Sequence, residues 1–344
     1  MISPNFIRVL HIWVPVDGYD TISECAFRAN DMRFLQFTKK FSRFLRYLII
    51  SEALPIILWA HPRSRSTVFE RPFLQLNQEF YVVHEPLVPI RVAHYTKNEK
   101  ILNKIQPPKP TDPITFPHHF TPTLNEIIKP HYYNGDQTKP LRVFVKDFAR
   151  VYFNESKGNP LQSKEVLSKF KHTFLFRNPE QSVKSYYKAA NASNKAWDEV
   201  NAPNSKRFEF FSAELIGLKE LRDFYDLIKN VTGEEIALVD SDDLVQEPEK
   251  ILRKYCEMVG VEFKIEMLEW KAEEELRFWD VTLPDIHYLP DLYKIWHKNA
   301  IKHTGFNETK KEEKEEIEYP QYVYDIIAEN KPHYEYLLQY KINI

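Results

Sequence analysis

Residues 54–71 read LPIILWAHPRSRSTVFER and hold Arg63, Ser64, Arg65, Ser66 and Thr67 in unbroken succession. Two permanently charged guanidinium groups and three hydroxyl donors set this close together suit one ligand class, an oxyanion such as a phosphate. Three further charged groups lie downstream: His84 with Glu85, Lys146 with Asp147, and Arg177 with Ser185 eight positions on. Imidazole, carboxylate and ammonium are groups that can move protons and stabilise charge. His118, His119 and His131 show no tight ligand spacing, and no metal site is expected.

The elements that must position these residues are legible in the apolar runs. Residues 55–59 form a short apolar run that predicts a strand buried on both faces, and a helical pattern begins at Thr67. A helix opening directly after a strand presents unpaired amides and a favourable dipole to an anion. Further strands are predicted at 80–83, 141–145, 172–176 and 236–239. Helices are predicted over 180–188, 213–231 with a cap at Gly233, and 248–259 with a cap at Gly260. Short strands alternating with helices imply a parallel sheet covered on both sides, with ligands beyond the carboxyl ends of the strands. Each charged group above falls at such an end.

Composition narrows the classes. The 344 residues are 43% hydrophobic and 14% aromatic, enough for a large core, and the formal net charge of −2 speaks against a nucleic-acid binder. Seven glycines argue against a fold built on glycine-rich loops, and two cysteines, Cys25 and Cys256, make no disulfide framework, which suits a reducing compartment. No run reads as a membrane span or a cleaved leader, so a soluble, cytoplasmic protein is expected. Residues 33–50 carry apolar positions at helical spacing with Lys and Arg between them. This is a helix packed on the main domain or a basic amphipathic helix for a membrane or partner. Residues 86–140 hold ten prolines and read as an irregular, substrate-shaping insertion.

The loop is not a Walker A, which needs GxxxxGK[ST]. P-R-S-R-S-T instead resembles the 5′-phosphosulfate loop of sulfotransferases, which use 3′-phosphoadenosine-5′-phosphosulfate (PAPS), with Arg63 in the place that many members give to Lys. TFLFRNPEQSVKSYY, residues 173–187, resembles the family's 3′-phosphate motif, in which an Arg after a strand and a Ser two turns into the next helix grip that phosphate. Eight residues are about 2.2 helical turns, which suits the pair Arg177 and Ser185. LRVFVKDF and the helix around 248–259 also resemble family segments. The likeness covers residues 54–263.

That resemblance implies a three-layer, P-loop-like α/β fold with a central parallel sheet of about five strands flanked by helices. It implies PAPS as co-substrate, PAP as product, and a small-molecule acceptor. Arg63, Ser64, Arg65, Ser66, Thr67, Arg177 and Ser185 would bind the donor. The family's K-x-H, whose His is the base, is here Lys146-Asp147-Phe148, so Lys146 is expected on the transferring group and the base falls to Glu85 first, His84 second and Asp147 third. Carboxylates beside aromatics point to a small polar acceptor with a hydroxyl or an amine or guanidinium nitrogen. The alternatives are a non-catalytic nucleotide-binding protein of this fold and a P-loop kinase-like phosphotransferase. The expected organisation is a mostly helical extension at 1–50, a sulfotransferase domain at 51–306, and a charged linker with a closing helix at 307–344. Oligomeric state is left open.

Overall fold

A computed structural model describes residues 7–16, 19–28, 53–88, 120–155, 167–200, 211–271, 279–281, 290–306 and 318–344. The chain divides into two compact units, 1–52 and 53–344. In the first, β1 (Ile7–Val16) and β2 (Tyr19–Arg28) pair antiparallel, with Val16 opposite Tyr19. Residues 7–16 and 19–28, within the extension expected to be mostly helical, are thus strand. β1 is rich in Val and Ile, and the dipeptide between the strands in sequence is Asp-Gly, the strongest short hairpin signal. The helix expected over 33–50 lies outside the described residues.

The second unit is built on a parallel sheet. Its strands are β3 (Ile56–Ala60), β4 (Phe80–His84), β6 (Pro140–Phe148), β7 (Lys171–Phe176), β8 (Ala237–Asp240) and β9 (Trp279–Val281). The order across the sheet is β8-β7-β3-β6-β4-β9, all neighbours parallel, and a two-residue β5 (His131–Tyr132) pairs antiparallel with the start of β6. The α/β architecture with a flanked parallel sheet is therefore observed, with six strands rather than five; the short β9 carries too little pattern to be read from sequence.

Nine helices are described: α1 (Ser66–Gln75), α2 (Phe120–Ile127), α3 (Ala149–Glu155), α4 (Pro179–Val200), α5 (Leu218–Thr232), α6 (Ser241–Gln246), α7 (Pro248–Val259), α8 (Pro290–Lys302) and α9 (Gln321–Leu338). Strand alternation divides the core. Ile57, Trp59, Val145, Phe174 and Leu238 face α4, α5 and α9 through Val183, Phe224 and Val323. Ile56, Leu58, Phe144, Leu175 and Val239 face α1 and α7 through Phe69, Phe73, Leu252 and Tyr255. Cover on both faces is why the central strand reads as an unbroken apolar run.

The helix expected across 213–231 is split. Gly217 has φ 72° and sits before α5, while a 3-10 turn occupies Ala213–Leu215. Part of the expected irregular insertion is regular, since α2 and β5 fall inside it; residues 89–119 lie outside the described set.

Candidate functional site

β3 leads to β4 on one side of the sheet and β7 leads to β8 on the other. The crevice between the carboxyl ends of β3 and β7 is thus the topological switch point, where open α/β sheets bind ligands. The loop after β3 and the turn after β7 meet there. The Arg177 amide donates to His61 Nε2 at 3.1 Å, and Arg177 NH1 donates to the Arg63 carbonyl at 3.0 Å. Burial, with the nearby Arg177 charge adding to it, holds His61 down to a pKa of about 3, so the ring is neutral and Nε2 is free to accept.

The loop wraps without glycine. Arg63 and Arg65 take left-handed φ values of 63° and 65°, a conformation that costs a side-chain-bearing residue about 1–2 kcal/mol. Their side chains are held in return. Arg63 Nε donates to Ser185 Oγ at 3.0 Å and NH1 to the Trp296 carbonyl at 2.5 Å, while Arg65 NH1 meets Asp242 Oδ1 at 2.5 Å. Ser66 and Thr67 open α1; among the described residues no side chain caps it, and the buried Ser64 hydroxyl has no hydrogen-bond partner. An oxyanion there meets helix amides, hydroxyls and guanidinium groups together. All seven residues expected to bind the donor fall at this crevice.

A second cluster lies at the ends of β4 and β6. Glu85 leaves β4 with φ 48°, its amide donating to the Lys146 carbonyl at 2.7 Å, and its carboxylate accepts from Lys146 Nζ. Burial works against the charge on Glu85, but Lys146, His84 and His297 outweigh it and hold the carboxyl down to about 2. His84 Nδ1 lies 2.8 Å from Glu70 Oε2, both side chains buried, so Nδ1–H faces Glu70 and Nε2 points toward Glu85, 3.8 Å away. The His297 ring stands edge-on to His84 at 5.2 Å.

Asp147 stands apart. Alternation along β6 sends it to the opposite sheet face from Lys146. Its oxygens accept from the amides of Leu87 at 2.6 Å and Phe148 at 2.7 Å. Burial pushes its carboxyl up to about 8, so it is a buried clamp on the chain after β4.

His84, Glu85 and His297 offer ligand atoms within 4.8 Å of one another, a spacing compatible with a metal ion. Lys146 already sets a cation against Glu85 in that place. His131, one of the histidines weighed in the sequence, stacks on Tyr81 at 3.8 Å and meets the Ile127 carbonyl. His118 and His119 lie outside the described residues.

Two helices join the clusters. α1 opens at the anion loop and one turn later offers Glu70 to His84. α8 places the Trp296 carbonyl on Arg63 and, on the next residue, His297 against His84. Sequence reasoning missed Glu70, Gln181, Asp242, Trp296 and His297. Glu70 carried a signal, four residues after the helix start and so on the loop's side of α1. The others belong to segments whose placement no local pattern reveals.

No family model matches the chain. It is 28% identical over 174 residues to branched-chain-amino-acid aminotransferase-like protein 1 of Arabidopsis thaliana, and 27% identical over 178 residues to the like protein 2 of that plant. Each match covers 50% of this chain and 25% of the relative, so the chain spans about a quarter of the length of the curated relatives it matches. Among solved structures, the sulfotransferase domain of the Synechococcus PCC 7002 olefin synthase is 16% identical, with 83% of this chain and 95% of that one covered and a TM-score of 0.45. The sulfotransferase domain from the curacin biosynthetic pathway is 13% identical, with 85% and 100% covered and a TM-score of 0.40. No described helix is long and apolar enough to cross a membrane.

Proposed function

We propose that this chain is a PAPS-dependent sulfotransferase acting on a small polar acceptor. The observation that carries the reading is the pairing of an arginine-lined anion cradle at the switch point with a Lys146–Glu85–His84 cluster, joined to it through α1 and α8. Arg63, Ser64, Arg65, Ser66 and Thr67 hold the 5′ end of the donor, and Arg177 with Ser185 holds the 3′-phosphate. Lys146 contacts the transferring group and Glu85 fixes the ammonium in place.

The base passes from Glu85 to His84. A carboxyl held near 2 and bound to an ammonium is a weak proton acceptor, whereas His84 is oriented by Glu70 in a base–carboxylate arrangement. In the step, His84 Nε2 takes the acceptor O–H proton and the acceptor oxygen bonds to sulfur. The bond from sulfur to the bridging oxygen breaks, and its electron pair leaves with PAP. Glu85 is occupied by Lys146 and Asp147 by backbone amides, so neither carboxylate is left to pair with a cationic acceptor. A hydroxyl acceptor is favoured over the amine or guanidinium that the sequence suggested.

The test is transfer of radiolabelled sulfate from PAPS to a panel of hydroxyl, phenol and amine acceptors, alongside calorimetry with PAP. Binding of PAP with label moving to hydroxyl acceptors supports the reading. A protein that neither binds PAP nor transfers label sinks it, and preference for amines overturns the acceptor class.

A further inference from the structure

We propose that Gln181 is the positioning residue of the donor site, setting both Arg65 and Arg177 toward the anion; this rests on the donor reading above. Gln181 lies in the first turn of α4, at the solvent side of the crevice. Its Oε1 accepts from Arg177 Nε at 3.2 Å, Arg177 NH2 at 2.8 Å and Arg65 NH2 at 3.3 Å. Its Nε2 donates to Asp242 Oδ2 at 3.2 Å, and Asp242 Oδ1 takes Arg65.

Only one amide orientation satisfies these neighbours. Guanidinium groups donate and never accept, and an ionised carboxylate accepts and never donates. The oxygen must therefore face the arginines and the nitrogen Asp242. One side chain thus orders two guanidinium groups carried on different elements, one by the loop after β3 and one by the turn after β7. Asp242, from the first turn of α6, fixes the amide in turn. Holding two long side chains before the ligand arrives removes part of the ordering cost of binding. A glutamine whose side chain bonds Arg65, Arg177 and Asp242 at the mouth of an anion crevice suits that positioning task.

Arg177 takes two of the three bonds to Oε1, so the effect should fall on the 3′-phosphate. The experiment measures PAP and AMP binding by calorimetry, with donor and acceptor kinetics, for wild type, Gln181→Met and Gln181→Glu. Gln181→Met is expected to weaken PAP about tenfold and AMP less than about threefold. Donor KM should rise in step, with saturated kcat and acceptor KM within about twofold. Gln181→Glu places a carboxylate against Asp242 and pairs with both arginines, so PAP binding should fall further. A merely structural glutamine would leave the PAP-to-AMP ratio unchanged, and that result, or tight PAP binding by Gln181→Glu, overturns the proposal while wild-type binding keeps the donor reading. A wild type that binds neither nucleotide overturns both.

Discussion

At the scale of single residues, charge pairing decides which groups remain available to a ligand. Arg177 touches the Arg63 carbonyl and Gln181, neither of which is a charged group, and the reading assigns its guanidinium to the 3′-phosphate. Arg177→Ala should weaken PAPS by roughly ten- to hundredfold, while adenosine-5′-phosphosulfate, which lacks that phosphate, changes little; competition binding with both ligands checks it. Equal losses would remove the assignment. His84→Gln should lower kcat by about 10²–10⁴-fold with donor affinity preserved, since the ring acts on the acceptor proton. Steady-state kinetics beside PAP calorimetry separates the two effects. Asp240 offers a test of stability. Burial, with Asp242 and Asp243 nearby, pushes its carboxyl up to about 6, while its oxygens accept from the Asp242 amide and the Tyr334 hydroxyl. A raised folded-state value favours the protonated form, so this contribution is full below about pH 4 and is lost as pH rises through 6. Asp240→Asn keeps a good helix cap without the charge. It should flatten the stability curve between pH 4 and 6 and gain about 1–2 kcal/mol at pH 7, read by urea unfolding across pH.

At the scale of elements, caps and joints matter more than propensity. Gly217 and Gly233 flank α5, both with positive φ, yet their surroundings differ. A Cβ on Gly217 would lie 2.6 Å from Arg150 Cδ and 3.1 Å from the Cβ and Cγ of that buried stem, whereas nothing lies within 4 Å at Gly233. Gly233→Ala should cost about 1 kcal/mol from backbone strain alone. Gly217→Ala should cost about 2–3 kcal/mol, because the Arg150 stem must also move. Chemical denaturation of both variants tests the ordering, and equal costs would show that Arg150 yields freely. β6 makes the same point for chemistry. Lys146 and Asp147 are adjacent in sequence, and a two-residue period sends one into the cluster and the other into a backbone clamp.

At the scale of the sheet-bearing unit, the chain after α9 returns to cover β8, which ends the order of described strands. Ile342 donates its amide to the Leu238 carbonyl at 2.8 Å and is buried, and Lys341 pairs with Asp243 at the start of α6. Deleting residues 341–344 removes about 2 kcal/mol of apolar burial and opens a strand edge. The thermal midpoint should fall by roughly 3 °C, and light scattering should detect association on warming. An unchanged midpoint would mean that the edge draws its protection from elsewhere.

By itself the sequence determined the local units: the strand, polar turn and helix around Arg63, the strand and helix around Arg177, and the caps at Gly233 and Gly260. Each rests on contiguous residues, where periodicity and helix-end chemistry act within a turn or two. The hairpin over Ile7–Arg28 was written in its Asp-Gly dipeptide and β-branched runs, and was overlooked. Tertiary structure alone decided the rest. Trp296 and His297 reach the site across more than two hundred residues of chain, and Gln181 joins Asp242 across sixty-one. It also decided that Glu85 stands as the partner of Lys146 and that two arginines adopt backbone angles that sequence would have given to glycine. Such pairings depend on strand order and on charges brought together by packing, and neither leaves a trace in the spacing of residues along one segment.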